Sequence, residues 1–271
     1  MKNRTYRTYG TSRQRGAASL VLYVPFVLLV PSLAAAGTEP DLAKGLVAHY
    51  TFDKDASDAS GNGHHATARG VTPVPEGKLG GAFAFNGTSD FVAVPAKATQ
   101  GLTWFTVALW FKTKQSAASP RTRFWSNPTL VGVSTGGWGS RDVGLMLENG
   151  RAAYFHGLHA DGSDMSWYSA VAAADDKWHH VALVCQGQRM MLYLDGQVLR
   201  GECLLHAAGA TESLGNQAQT AAGNALGAAP VFIGACNDGG PSYFFRGLID
   251  DVRLWSRALT ADEVSALQGQ K

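Results

Sequence analysis

Two apolar, strand-like runs near the ends of the chain each carry an acid: Gly45-Leu-Val-Ala-His-Tyr-Thr-Phe-Asp53 and Gly247-Leu-Ile-Asp-Asp-Val-Arg-Leu-Trp-Ser-Arg-Ala-Leu-Thr260. Antiparallel pairing of residues 46–53 with 248–255 would bring Asp53 close to Asp250. Carboxylate oxygens held together in this way suit calcium, which takes about six to eight hard oxygen ligands from acids, carbonyls and water. The competing use is structural: Asp53 and Asp58 would accept N–H groups of a turn, and Arg253 or Arg257 would balance Asp250. Strand alternation places Asp251 on the opposite face from Asp250, which would share its side with Val252 and Leu254 and lie partly buried.

A second set of chemically useful residues is aromatic. Trp104, Trp110, Trp178 and Trp255 lie in or beside apolar strands and read as core, whereas Trp125, Trp138 and Trp167 stand among Gly, Ser, Arg and Asp. An aromatic ring in a polar loop can stack on a pyranose while charged and amide neighbours bond its hydroxyls; it serves a protein partner equally well. The neighbouring run His156-Gly-Leu-His159-Ala-Asp161-Gly-Ser-Asp164 has a hairpin's spacing. Histidines three apart converge reliably only on a helix, so the run reads as a polar rim or a solvated loop rather than a transition-metal site. Candidate ligand contacts are therefore Trp125, Trp138, His156, His159, Trp167 and Tyr168. His179 and His180 fall on opposite faces of one strand and read as structural hydrogen-bonding residues.

Catalytic patterns are missing from the sequence. It has no Glu-x-Asp-x-x-Glu run, no alternating acids within one strand, no Gly-x-Ser-x-Gly elbow and no His-Glu-x-x-His helix. A binding role follows, with a polysaccharide hydrolase or lyase using dispersed residues as the catalytic alternative.

The elements that position these residues are short strands. With 271 residues and 45% hydrophobic content the chain can bury one sizeable core. Thirty-two glycines and many alternating apolar runs predict about a dozen strands, among them 46–52, 105–112, 143–147, 165–170, 178–185 and 248–255. Glu148-Asn-Gly150 and Asp195-Gly196 predict hairpin turns. Thr260-Ala-Asp-Glu263 is a capping box, predicting one short C-terminal helix. Residues 205–229, rich in Ala, Gly, Asn and Gln, read as a long surface loop. The predicted class is all-β, two packed antiparallel sheets.

Residues 1–36 combine Lys2, Arg4, Arg7, Arg13 and Arg15 with an apolar run from Ala17 to Leu33 and the small residues Ala34-Ala-Ala36. That layout predicts a cleaved signal peptide, a linker at 37–44 and a domain at 45–271, placed in a secreted, periplasmic or envelope location without a membrane span. Without those five cations, 18 Lys and Arg face 21 Asp and Glu, so the formal charge moves from +2 to −3 and nothing suggests nucleic acid. Three cysteines allow at most one intramolecular disulfide. If Asp195-Gly196 turns a hairpin, Cys203 falls two strands from Cys185, which leaves Cys203 with Cys236 as the expected pair and Cys185 as a buried thiol.

Four blocks resemble the laminin G-like, concanavalin A-like jelly-roll domains of exported bacterial proteins. They are Gly45–Asp53 with Asp58-Ala-Ser-Gly-Asn-Gly63; Gly81-Ala-Phe-Ala-Phe-Asn-Gly-Thr-Ser-Asp-Phe-Val92; Trp178-His-His-Val-Ala-Leu183 with Leu192-Tyr-Leu-Asp-Gly196; and Gly247–Thr260. The resemblance implies a two-sheet jelly-roll sandwich with neighbouring first and last strands. It implies calcium near their junction, at positions matching Asp53, the Gly61-Asn62 turn and Asp250. It further implies a lectin-like partner, a glycan, or an envelope protein as the alternative.

Overall fold

The computed structural model describes residues 40–117, 121–134, 142–157, 164–187, 189–207, 210–215 and 226–270. In chain order the strands are β1 (Leu46–Tyr50), β2 (Thr67–Arg69), β3 (Thr72–Val74), β4 (Ala82–Asn86), β5 (Phe91–Val94), β6 (Trp104–Lys112) and β7 (Thr129–Ser134). There follow β8 (Val143–Glu148), β9 (Arg151–Gly157), β10 (Asp164–Ala172), β11 (Trp178–Gln186), β12 (Arg189–Leu194) and β13 (Gln197–Val198). The last are β14 (Gly201–Ala207), β15 (Ala210–Gly215), β16 (Val231–Ile233), β17 (Cys236–Asp238), β18 (Pro241–Ser242) and β19 (Arg246–Trp255), with helix α1 at Ala261–Gln268. No helix among the described residues is long and apolar enough to cross a membrane.

Two sheets form the sandwich. Sheet A runs β13-β12-β11-β6-β19-β4-β3, with β1 also on β19; sheet B runs β15-β14-β10-β9-β8-β7-β16-β5-β2, with β17 parallel to β7. Chain ends meet as expected, since Leu46–Tyr50 pairs antiparallel with Val252–Trp255. Both predicted tight turns are present: Asn149-Gly150 and Asp195-Gly196 hold positive φ throughout, matching the right-handed strand twist.

Alternation sorts the apolar residues. Phe105, Val107, Leu109 and Phe111 of β6 meet Leu145, Leu147, Tyr154 and Met165 of sheet B in the central core. The other face of sheet A presents Ala108, Ala182, Val184, Tyr193 and Trp255, which α1 covers with Val264 and Leu267. The capping box fixes the start of α1: Glu263 N donates to Thr260 Oγ1 at 3.2 Å and Thr260 N donates to Glu263 Oε2 at 2.7 Å.

Several expectations change. Residues 41–44, read as linker, are docked: Trp255 Nε1 donates to Leu42 O, and Arg257 donates to Asp41 O and Lys44 O while gripping Glu263. The segment read as a loop from residue 205 continues β14 and includes β15. Trp104 is 48% exposed instead of packed. Cys203 does not face Cys236, and all three cysteines are free. After Val198 the chain leaves sheet A for sheet B, where Cys203 points inward on β14; Cys236 sits on β17, five strands away, in the cluster on the opposite face. At about 4.8 Å per strand that gap far exceeds disulfide reach.

Candidate functional site

The acid pair at the strand junction comes first. Asp250 is fully buried; its Oδ2 accepts from Lys78 N at 2.7 Å and Leu79 N at 2.8 Å, while Oδ1 has no hydrogen-bond partner among the described residues. Burial pushes its pKa up to about 6. Asp53 Oδ1 accepts from Gly81 N at 2.7 Å. Both acids thus grip one turn, Gly77–Gly81, closed by Gly77 N donating to Gly80 O. Gly80 has φ +91, and a Cβ there would collide with Asp53 Oδ1, so glycine is required.

The face of Asp250 differs from the alternation argument. Between Asp250 and Arg253 the β19–β6 ladder slips, with Asp251 at φ 50, so Ile249, Val252 and Leu254 enter the core while Asp250 opposes Trp110 on the outer side of sheet A. A bulge inserts one residue and reverses the facing that follows it. Asp251 joins His49 Nε2 at 2.6 Å and Arg253 Nη2 at 3.0 Å, and Arg257 belongs to Glu263, so neither arginine neutralises Asp250. Lys78 Nζ instead lies 4.7 Å from the Trp110 ring centroid.

Asn62 is not brought to this pair. Its Nδ2 donates to Leu46 O at 2.9 Å and Val47 O at 3.1 Å, at the far end of β1 from Asp53. Asp58, the residue with the turn-capping role, accepts from His49 N, Ser60 N and His64 N, bonds that hold its pKa down near 2 against burial. Among the described residues no three His, Cys, Asp or Glu gather to hold a metal. The oxygen-only character of Asp53 and Asp250, with one buried carboxylate oxygen lacking a donor, fits calcium if carbonyls and water complete the shell.

The aromatic candidates divide by face. Trp167 is only 6% exposed and lies in the central core, its ring 5.7 Å from Tyr154 and nearly parallel to it. His156 is also buried beside Tyr154. Neither is positioned as a rim residue. Trp138 and His159 lie outside the described residues. Tyr168 turns the other way, onto the outer face of sheet B, with Met146, Ala153, Phe155, Leu204 and Cys236; Trp125 and Tyr243 pack against that cluster. Gly144 lets Phe155 lie flat across β8, because a Cβ there would collide with the ring.

Polar groups border this aromatic floor. Tyr243, held at φ 56, donates its hydroxyl to Asp238 Oδ2 at 3.0 Å and accepts from Trp125. Ser134 Oγ lies 3.1 Å from Asp142 Oδ2 and 3.4 Å from Asp238 Oδ1, which draws the two carboxylates together. Ser166 Oγ meets His206 Nε2 at 2.7 Å, and burial lowers the His206 pKa to about 4. At the other end of the face a cleft of about 310 Å³ opens among Glu148, Arg151, Tyr168, Ser169, Gly201 and Glu202. Tyr243 and the acids Asp142, Asp238 and Glu202 were not singled out from the sequence as ligand contacts; the signal available was an aromatic next to small residues, Pro241-Ser-Tyr243, after a turn.

A family model described as the concanavalin A-like lectin/glucanases superfamily, Laminin_G_3, matches residues 86–265. The chain belongs to this family. Solved structures agree with the laminin G-like fold. Domain 4 of AbnA, a GH43 extracellular arabinanase from Geobacillus stearothermophilus, solved with arabinotriose, is 21% identical over 82% of this chain and 98% of that one, with a TM-score of 0.51. The binding domain of Paraclostridial Mosquitocidal Protein 1 is 16% identical over 83% of this chain, TM-score 0.57; the receptor binding domain of botulinum neurotoxin D is 13% identical over 83%, TM-score 0.52. This laminin G-like chain spans about half of each of those two toxin domains, 52%. A search of curated protein sequences found no match.

Proposed function

We propose that this laminin G-like domain is an exported, non-catalytic carbohydrate-binding module whose ligand lies on the outer face of sheet B. The observation that carries the reading is a pair of partly exposed rings, Trp125 and Tyr243, set against the buried cluster of Phe155 and Tyr168 beside Asp142 and Asp238, with an open cleft at the other end of the same strands. Rings supply apolar platforms for sugar faces, and the carboxylates accept from sugar hydroxyls. Support from similarity is the family itself and the arabinotriose complex of a domain with the same fold. Export is supported by the targeting pattern of residues 1–36. A panel of immobilised plant and bacterial oligosaccharides tests it: saturable binding is expected, and a blank panel would overturn it in favour of an envelope protein as partner.

Calcium at Asp53 and Asp250 is the second part of the proposal, as a structural ion bracing the Gly77–Gly81 turn. At 100 times its dissociation constant a bound ion contributes about 2.7 kcal/mol, which corresponds to a melting shift of roughly 5–10 °C in a domain of this size. EDTA is expected to lower the melting temperature, calcium to restore it, and Asp250→Asn to remove the response. Identical melting curves with EDTA and with calcium would sink this part.

A further inference from the structure

Charge on the proposed glycan face is one-sided. The outward positions of β8, β10, β14 and β17, with Asp142 beside β8, carry Glu148, Asp164, Glu202 and Asp238, five acids in all. Against these acids stand Arg151 on the same face of the intervening strand β9 and the exposed Arg200, which directly precedes Gly201 of β14. His206 adds no charge at neutral pH because burial holds its pKa near 4.

The cleft concentrates this pattern. Glu148 stands directly opposite Arg151 across β8 and β9, and Tyr168 opposite Glu202 across β10 and β14. Between Tyr168 and Ala172 three residues of β10 oppose one of β9, and this irregularity interrupts the ladder beside the cleft. Glu202 is oriented by Ser213 Oγ, which donates to its Oε1 at 3.1 Å. The cavity of about 310 Å³ therefore offers acceptors on two sides and one guanidinium donor, with the largely buried Tyr168 at its base.

From this arrangement we infer that the site selects neutral oligosaccharides and rejects their carboxylated counterparts. The inference rests on the glycan-binding reading above and names its ligand class. A sugar hydroxyl both donates and accepts, so it satisfies Glu148 and Glu202 while accepting from Arg151. A carboxylate only accepts; it can meet Arg151, but it places a charge beside acids on both flanks, in a cleft where screening is weaker than in bulk water.

Matched ligands test it: β-1,4-linked glucose oligomers against their C6-oxidised glucuronate forms, and mannose oligomers against mannuronates, titrated calorimetrically. The neutral member is expected to bind at least about tenfold tighter at low salt, with the gap shrinking near 1 M salt, where the Debye length falls to about 3 Å. Glu148→Gln with Glu202→Gln preserves side-chain size and removes both charges; the neutral member is expected to bind more weakly, through fewer charge-assisted bonds, while the gap between the two members narrows to about threefold or less. Equal or tighter binding of the carboxylated member by the native protein would overturn the inference and leave glycan binding standing. If no member of these pairs or of the wider panel binds, the glycan reading fails and this inference with it.

Discussion

Replacing Tyr243 with alanine is expected to weaken binding of the best panel oligosaccharide by roughly tenfold to a hundredfold, the range of a central aromatic contact worth about 1.4–2.8 kcal/mol. Tyr243 joins three parts of the site: its ring packs on the Phe155 cluster, its hydroxyl donates to Asp238, and it accepts from Trp125. Trp125→Ala is expected to behave similarly. Tyr243→Phe keeps the ring but leaves Asp238 short of a donor, so its loss should be smaller, about fivefold to tenfold. Trp104→Ala supplies the contrast, because Trp104 is exposed on sheet A, away from this face, and its removal should leave affinity unchanged. Calorimetric titration with circular dichroism on each variant separates lost contacts from lost fold. Full affinity in Tyr243→Ala would remove the site from the outer face of sheet B.

Acid is expected to destabilise the calcium-free domain by on the order of 2 kcal/mol between pH 6 and 4.5. His180 is buried beside Trp110, its Nδ1 has no hydrogen-bond partner among the described residues, and burial lowers its pKa to about 4. His206 is lowered to about 4 by the same cause. A depressed folded pKa means that the stability each contributes is present above the unfolded value of about 6.5 and is lost as pH falls toward 4. Asp250 works in the opposite direction: its raised pKa, about 6, lets the folded state take up one proton in this window before the unfolded chain does. His179, raised by Asp195 and Asp175, contributes its full stability below about 6.5 and leaves the slope there unchanged. Two protons favour the unfolded state and one the folded, a net slope of about 1.4 kcal/mol per pH unit. Urea unfolding across the window measures it. His180→Gln with His206→Gln should abolish or reverse the slope, and a flat native profile would contradict the assignment.

Features encoded locally were legible in the sequence. Thr260 and Glu263 cap α1 as their spacing demands, Asn149-Gly150 and Asp195-Gly196 turn as their φ preferences demand, and the two end runs pair because both are apolar on the side that meets the core. Facing was harder to read wherever a ladder slips or both sides are covered. Asp250 precedes a bulge, which no alternation rule anticipates. Residues Asp164–Ser169 of β10 are buried on both sides, so Trp167 and Tyr168 look equivalent in sequence although one enters the core and the other the outer face. Cys203 lies apart from Cys236 because a short connection after β13 sends the chain to the other sheet, a switch that no local pattern marks. Tyr243 and Asp238 come next to Trp125 through long-range contacts with β7, the parallel pairing of β17 and the bond from Thr129 N to Tyr243 O, which link residues over a hundred positions apart.

The location of the ligand is best measured by backbone amide shift mapping during titration with the neutral oligosaccharide that binds most tightly. The largest shifts are expected along β8, β10 and β17 and at Trp125 and Tyr243, with α1 and the outer side of sheet A unperturbed. Shifts centred instead on α1 or on the residues 54–68 would contradict a glycan site on the outer face of sheet B.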